Sequence, residues 1–120
     1  MEFTVERIYE THEESGTYRV LVDRLWPRGV SKVDAKIDLW SKDVTPSAAL
    51  RQTYHAGEMD YADFSAAYSV ELEESGAVER LVSSLERSGV EKVVLLTAVK
   101  DVEHSHMPVL LEKLEATPTP

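Results

Sequence analysis

The run Val93-Val94-Leu95-Leu96 is apolar on both faces that a strand presents, and this constrains the fold more than any other feature. A strand with one wet face alternates apolar and polar residues. One without alternation must be covered above and below, as a central strand of a mainly parallel sheet is. Two further strands are predicted before it. Phe3 to Tyr9 alternates apolar and polar residues, and Tyr18-Arg19-Val20-Leu21-Val22-Asp23 is a short run rich in β-branched residues. Between them, the polar stretch Thr11 to Gly16 ends in Ser-Gly and reads as a turn.

Pro27 and Gly29 halt regular structure, and residues 30–45 follow no clear period, with Leu39 and Trp40 expected to tuck against the core. Thr45-Pro46 reads as a helix start, because threonine caps free amides and proline suits the first helical position. That helix is expected to end near His55, before Gly57. A second helix carries Tyr61, Phe64, Tyr68 and Leu72 at three- and four-residue spacing, which makes one aromatic face. The group Glu71-Glu73-Glu74 reads as its solvated end. A third helix places Val78, Leu81, Val82 and Leu85 on one side and stops at Gly89; a last one carries Met107, Leu110, Leu111 and Leu114. The order β-β-loop-α-α-α-β-α predicts a single α/β domain over residues 1–116, in two or three layers, with a small, mainly parallel sheet flanked by helices. Residues 117–120, Thr-Pro-Thr-Pro, form a loose tail.

Composition narrows the function classes. With 42% hydrophobic residues the chain is too apolar for disorder, and no apolar run reaches the ~20 residues that span a bilayer. No signal-peptide pattern opens it, so a cytoplasmic location without membrane partners is the default expectation. The absence of cysteine excludes disulfides, thiolate nucleophiles and cysteine-based metal sites. The net charge of −9 is uneven: residues 19–51 hold seven Lys/Arg against four Asp, whereas the remainder holds six against eighteen acidic residues. A nucleic-acid face needs a broad basic footprint, so none is expected. A small anion held by a few local cations fits this charge map. Walker, dinucleotide, G-x-S-x-G and H-E-x-x-H motifs are all missing.

Ligands of open α/β sheets gather beyond the carboxyl ends of strands, and two segments leave such ends. In Asp23 to Gly29, Arg24 and Arg28 flank Trp26-Pro27. Two guanidinium groups can grip a phosphate or carboxylate, Trp26 can cover a ring, and Gly29 lets backbone approach a ligand. The competing reading is structural: Asp23 pairs with an arginine while Trp26 and Pro27 plug the core. In Lys100 to His106, His104 or His106 could move a proton, with Asp101 or Glu103 setting the tautomer. The two histidines could instead ligate a metal, or simply cap a helix and face solvent. The expected site thus has Asp23, Lys100 and His104 as proton-transfer candidates, and Arg24, Trp26, Arg28, Gly29 and His106 as ligand contacts. It implies no cofactor. Three functions follow: binding of a small anion such as a nucleotide or phosphorylated metabolite, non-catalytic partner binding around an Asp–Arg network, or His-dependent metal hydrolysis.

Tyr18-Arg19-Val20-Leu21-Val22-Asp23-Arg24-Leu25-Trp26-Pro27-Arg28-Gly29 resembles the signature of the YeaO-like proteins, a bacterial family catalogued as a domain of unknown function. The likeness continues through Trp40-Ser41-Lys42, Thr45-Pro46-Ser47, Leu50-Arg51, Phe64, Tyr68, Glu71-Leu72, Ala98 to Asp101 and Glu103 to His106, covering roughly residues 3 to 115. It implies a compact α/β fold and no particular reaction. Longer relatives carry cysteines near the last strand and before the final helix, beside a His-Arg pair. Thr97 and Ser105 stand in that neighbourhood here and no arginine follows His106, so no thiol chemistry carries over. Methyltransferase and regulator labels attached to such proteins find no support, since neither a glycine-rich cofactor loop nor a helix-turn-helix is visible.

Overall fold

A computed structural model describes residues 1–10 and 14–118. The turn expected at Thr11 to Gly16 and the end of the tail, Thr119 and Pro120, fall wholly or partly outside them. The strands are β1 (Glu2–Arg7), β2 (Thr17–Leu21), β3 (Leu39–Trp40) and β4 (Lys92–Thr97). They form one sheet in the order β1-β4-β2-β3, with every pairing parallel. The doubly apolar run Val93–Leu96 therefore occupies an inner strand, and its four residues are buried.

The two faces are covered differently. Val20, Val22, Val93 and Leu95 face a core built with α2 (Ala48–His55), α3 (Tyr61–Ser75), α4 (Ala77–Arg87) and α5 (Met107–Ala116). Ile8, Leu21, Val94 and Leu96 face the opposite way, under Trp26, Val30, Ile37 and Trp40. One helical layer plus a covering loop makes a two-layer slab of 41 × 37 × 19 Å. Among the described residues no helix is long and apolar enough to cross a membrane.

The aperiodic stretch 30–45 contains the short helix α1 (Lys32–Ala35) and β3. Its organiser is Arg19, buried in β2, which donates to the carbonyls of Ala35 and Lys36 at 3.1 Å each. Those are carbonyls that the end of α1 leaves unpaired. Helix α2 begins later than Thr45-Pro46 predicts. Its cap is Ser47, whose Oγ accepts from the Leu50 amide (3.2 Å), while Thr45 closes the preceding 3-10 turn, Lys42–Val44.

The expectation of a wholly solvated Glu71-Glu73-Glu74 group also changes. Glu73 and Glu74 are exposed, but Glu71 accepts from both the amide and the hydroxyl of Ser47, at 2.9 and 2.6 Å. It thereby fastens the start of α2 to α3. Glu71→Gln should lower stability by about 1–2 kcal/mol, the scale of a helix cap or of a bond to a charged acceptor. Glu71→Ala should cost more, and the amides of Leu50 and Arg51 should exchange faster in both variants. Unchanged exchange at those amides would show that α2 does not depend on this clamp.

Candidate functional site

Because all strands run parallel, their carboxyl ends share one edge of the sheet. Chain leaves β2 at Asp23–Gly29 and leaves β4 at Ala98–His106, on neighbouring strands, as the two-loop expectation requires. Helix α2 forms a third wall. Between them lies a cavity of about 490 Å³, within the range of small-molecule sites.

Asp23 joins the two loops. Its carboxylate accepts from the Thr97 hydroxyl and the Ala98 amide, both at 2.7 Å, and lies 3.4 Å from Nε2 of His106. Its own carbonyl accepts from the Trp40 indole (2.7 Å). Burial pushes its carboxyl pKa up, but the His106 contact and the bonds from Ala98 and Thr97 outweigh it, holding the group below the ordinary carboxylate range. Asp23 is therefore an engaged, ionised anchor.

His106, at the start of α5, is 7% exposed and places Nε2 at 2.6 Å from the Val22 carbonyl. A carbonyl only accepts, so Nε2 carries the proton. His104 is exposed; its Nδ1 lies 2.9 Å from Asp101, and its ring meets Tyr61 edge-on at 5.4 Å. The backbone around it is pinned: Tyr54 donates to the His104 carbonyl (2.7 Å) and Tyr61 to that of Ser105 (2.8 Å). Ser105 Oγ accepts from the Met107 amide (3.1 Å) at the start of α5.

The pocket brings together Asp23, Trp26, Arg28, Lys100, His104 and His106. It does not include Arg24 or Gly29. Arg24 donates through Nε to the Pro46 carbonyl (3.2 Å), tying the loop to the start of the α2 wall. Gly29 lines a separate cleft beside Tyr9 and Arg19, and its φ of +78° meets the demand of the turn. A Cβ there would meet no protein atom within 4 Å, so it is the positive φ and not crowding by the protein that calls for glycine.

In place of Arg24 the structure supplies Arg51, from α2. Its Nε is shielded from solvent and, among the described residues, has no acceptor. Among those same residues the Arg28, Arg51 and Lys100 side chains have no hydrogen bond or ion pair. The lining carboxylates, Asp23 and Asp101, both already face histidines. Two sequence signals pointed at Arg51: its place in the basic stretch 19–51 and in the Leu50-Arg51 pair of the family resemblance. Its distance along the chain from Arg28 conceals the meeting. Among the described residues no group of three or more His, Asp or Glu side chains could hold a metal ion, and His104 and His106 each have a nitrogen already committed.

Residues 2–119 match the family described as "Inactive DUF488-N3 subclade". The chain is 35% identical to the uncharacterized protein YeaO of Escherichia coli K12 over 116 residues, 97% of this chain and 99% of that protein. It is 40% identical over 110 residues to the uncharacterized proteins Mb3100c of Mycobacterium bovis and Rv3073c of Mycobacterium tuberculosis, covering 92% of this chain and 91% of each. No solved structure matches it.

Proposed function

This chain belongs to the family described as the inactive DUF488-N3 subclade, and on that premise we propose that its pocket binds a small anionic molecule without transforming it. The observation that carries this reading is the set of cations Arg28, Arg51 and Lys100, unpaired among the described residues and gathered at one cavity of a chain with net charge −9. Here the partial desolvation of Arg51 leaves charge uncompensated, and low-dielectric walls strengthen its pull on an anion. A nucleotide or phosphorylated metabolite has the matching charge.

The non-catalytic part rests on the carboxylates. Asp23, a candidate for proton transfer, is held ionised by three donors that also hold the fold. Lys100 and His104 then serve as ligand contacts at the rim. Partner binding is the second reading, favoured by Leu25, which stands 62% exposed at the pocket mouth. The network beneath it links Asp23 to His106, Thr97 and Ala98 and, among the described residues, takes in no arginine.

Calorimetry with AMP at low salt tests the proposal. Arg28→Ala and Arg51→Ala should each weaken binding about tenfold or more, the scale of one hydrogen bond to a charged group. The double variant should bind nothing measurable. AMP at 100 times its dissociation constant should stabilise the parent by about 2.7 kcal/mol, and salt should weaken binding. A parent protein that ignores AMP, pyrophosphate and phenyl phosphate alike would refute the reading.

A further inference from the structure

We infer that the anion this pocket takes is carried on a flat, largely apolar ring and not on a polyhydroxylated body. The inference rests on the anion-binding reading above and deepens it. A cavity of about 490 Å³ far exceeds an inorganic anion, so most of its wall meets the body of the ligand. The polar lining side chains Asp23, Thr45, Asp101, His104, Ser105 and His106 already have hydrogen-bond partners within the protein. Beyond these, the cations and His55, the wall comes mainly from Tyr9, Leu25, Trp26, Pro27, Tyr54 and Phe64.

Three of these residues have polar atoms, and each donates to a backbone carbonyl of the protein. Tyr9 donates to Arg28 (2.9 Å), Trp26 to Val30 (2.6 Å) and Tyr54 to His104 (2.7 Å). Their donors are spent, so what remains for a ligand is mainly hydrocarbon and ring surface. A sugar hydroxyl placed there would lose water and find few partners, which is costly. An aromatic ring would lose little and gain contact area.

The rings are also fixed before a ligand arrives. Trp26 meets Trp40 edge-on at 5.3 Å, and Tyr54 stacks on Phe64 at 4.3 Å. At the mouth, Leu25 and Tyr9 are 62% and 49% exposed, apolar surface that a bound ring could cover. Preorganised walls reduce the entropy lost on binding.

Phenyl phosphate, inorganic phosphate and ribose 5-phosphate separate the possibilities, each titrated against the full chain while tryptophan fluorescence is followed. Phenyl phosphate should bind at least about tenfold more tightly than either of the others, the increment expected for burying a ring. Trp26→Ala should reduce that ratio while inorganic phosphate still binds. Leu25→Ser provides a second variant, because it removes a side chain that is already exposed and should leave folding intact. Support requires that the ratio fall in at least one folded variant. Ribose 5-phosphate binding as tightly as phenyl phosphate, or phenyl phosphate no tighter than inorganic phosphate, overturns the ring inference and leaves the anion reading standing. If none of the three binds, the ring inference falls, and the anion reading falls with it when AMP and pyrophosphate fail as well.

Discussion

Asp23→Ala is expected to destabilise the protein by about 3–5 kcal/mol, the summed cost of orphaning the buried donors that point at its carboxylate, at about 1–3 kcal/mol for each. The Thr97 hydroxyl and Ala98 amide would lose their acceptor, and His106 would lose the carboxylate 3.4 Å away. Because typical domains are stable by only ~5–15 kcal/mol, urea denaturation should show a large fall in midpoint. The parent should also show an acid limb. Its folded Asp23 carboxyl titrates below the ordinary value of 3.8, so its contribution is complete above that value. The contribution is lost as pH falls through the lower folded value. Asp23→Asn should flatten the slope of stability against pH over that window. A stability within about 0.5 kcal/mol of the parent, the range of ordinary surface substitutions, would show that the two loops are not joined through this carboxylate.

Tyr68→Ala should cost a similar ~3–5 kcal/mol, by leaving an aromatic-sized cavity in the core. Tyr68 is fully buried, with Phe64 at 6.0 Å and His106 at 6.2 Å, and its hydroxyl donates to the Val44 carbonyl. Burial pushes the hydroxyl pKa far up, so it remains a donor at any ordinary pH. Tyr68→Phe keeps the packing and removes the bond, leaving a buried carbonyl unpaired, for about 1–3 kcal/mol. The difference between the two variants isolates packing. If Tyr68→Phe is silent, the bond does not anchor Val44. With Arg24 on Pro46 and Glu71 on Ser47, it holds residues 44–47 at three points just ahead of Arg51.

Local pattern made much of this legible. Each helix stripe is an argument about neighbours three or four residues apart. Helix α4 buries Val78, Leu81, Val82 and Leu85 as its spacing predicts, and α3 buries Phe64, Tyr68 and Leu72 but leaves Tyr61 half-buried, with its hydroxyl on the Ser105 carbonyl. The site was legible in part. Both loops were recognisable from the strands they leave, yet Arg24 and Arg28 are adjacent in pattern and separate in space. Which guanidinium faces a cavity depends on whether another element offers it a carbonyl, and Pro46 does so for Arg24. Glu71 shows the same limit: beside Glu73 and Glu74 it reads as solvated, until α2 brings Ser47 onto it.

The sequence by itself determined the α/β class, the inner position of Val93–Leu96 and the two loops that leave the ends of core strands. Hydrophobic period and turn chemistry act over a few residues, and those features need nothing more. Tertiary structure alone decided the strand order, the single helical layer and the meeting of Arg51 with Arg28 and Lys100. It also made Asp23 an ionised tie between the chain leaving β2 and the end of β4. Such features depend on desolvation and on donors from distant segments, and neither exists until the chain has closed on itself.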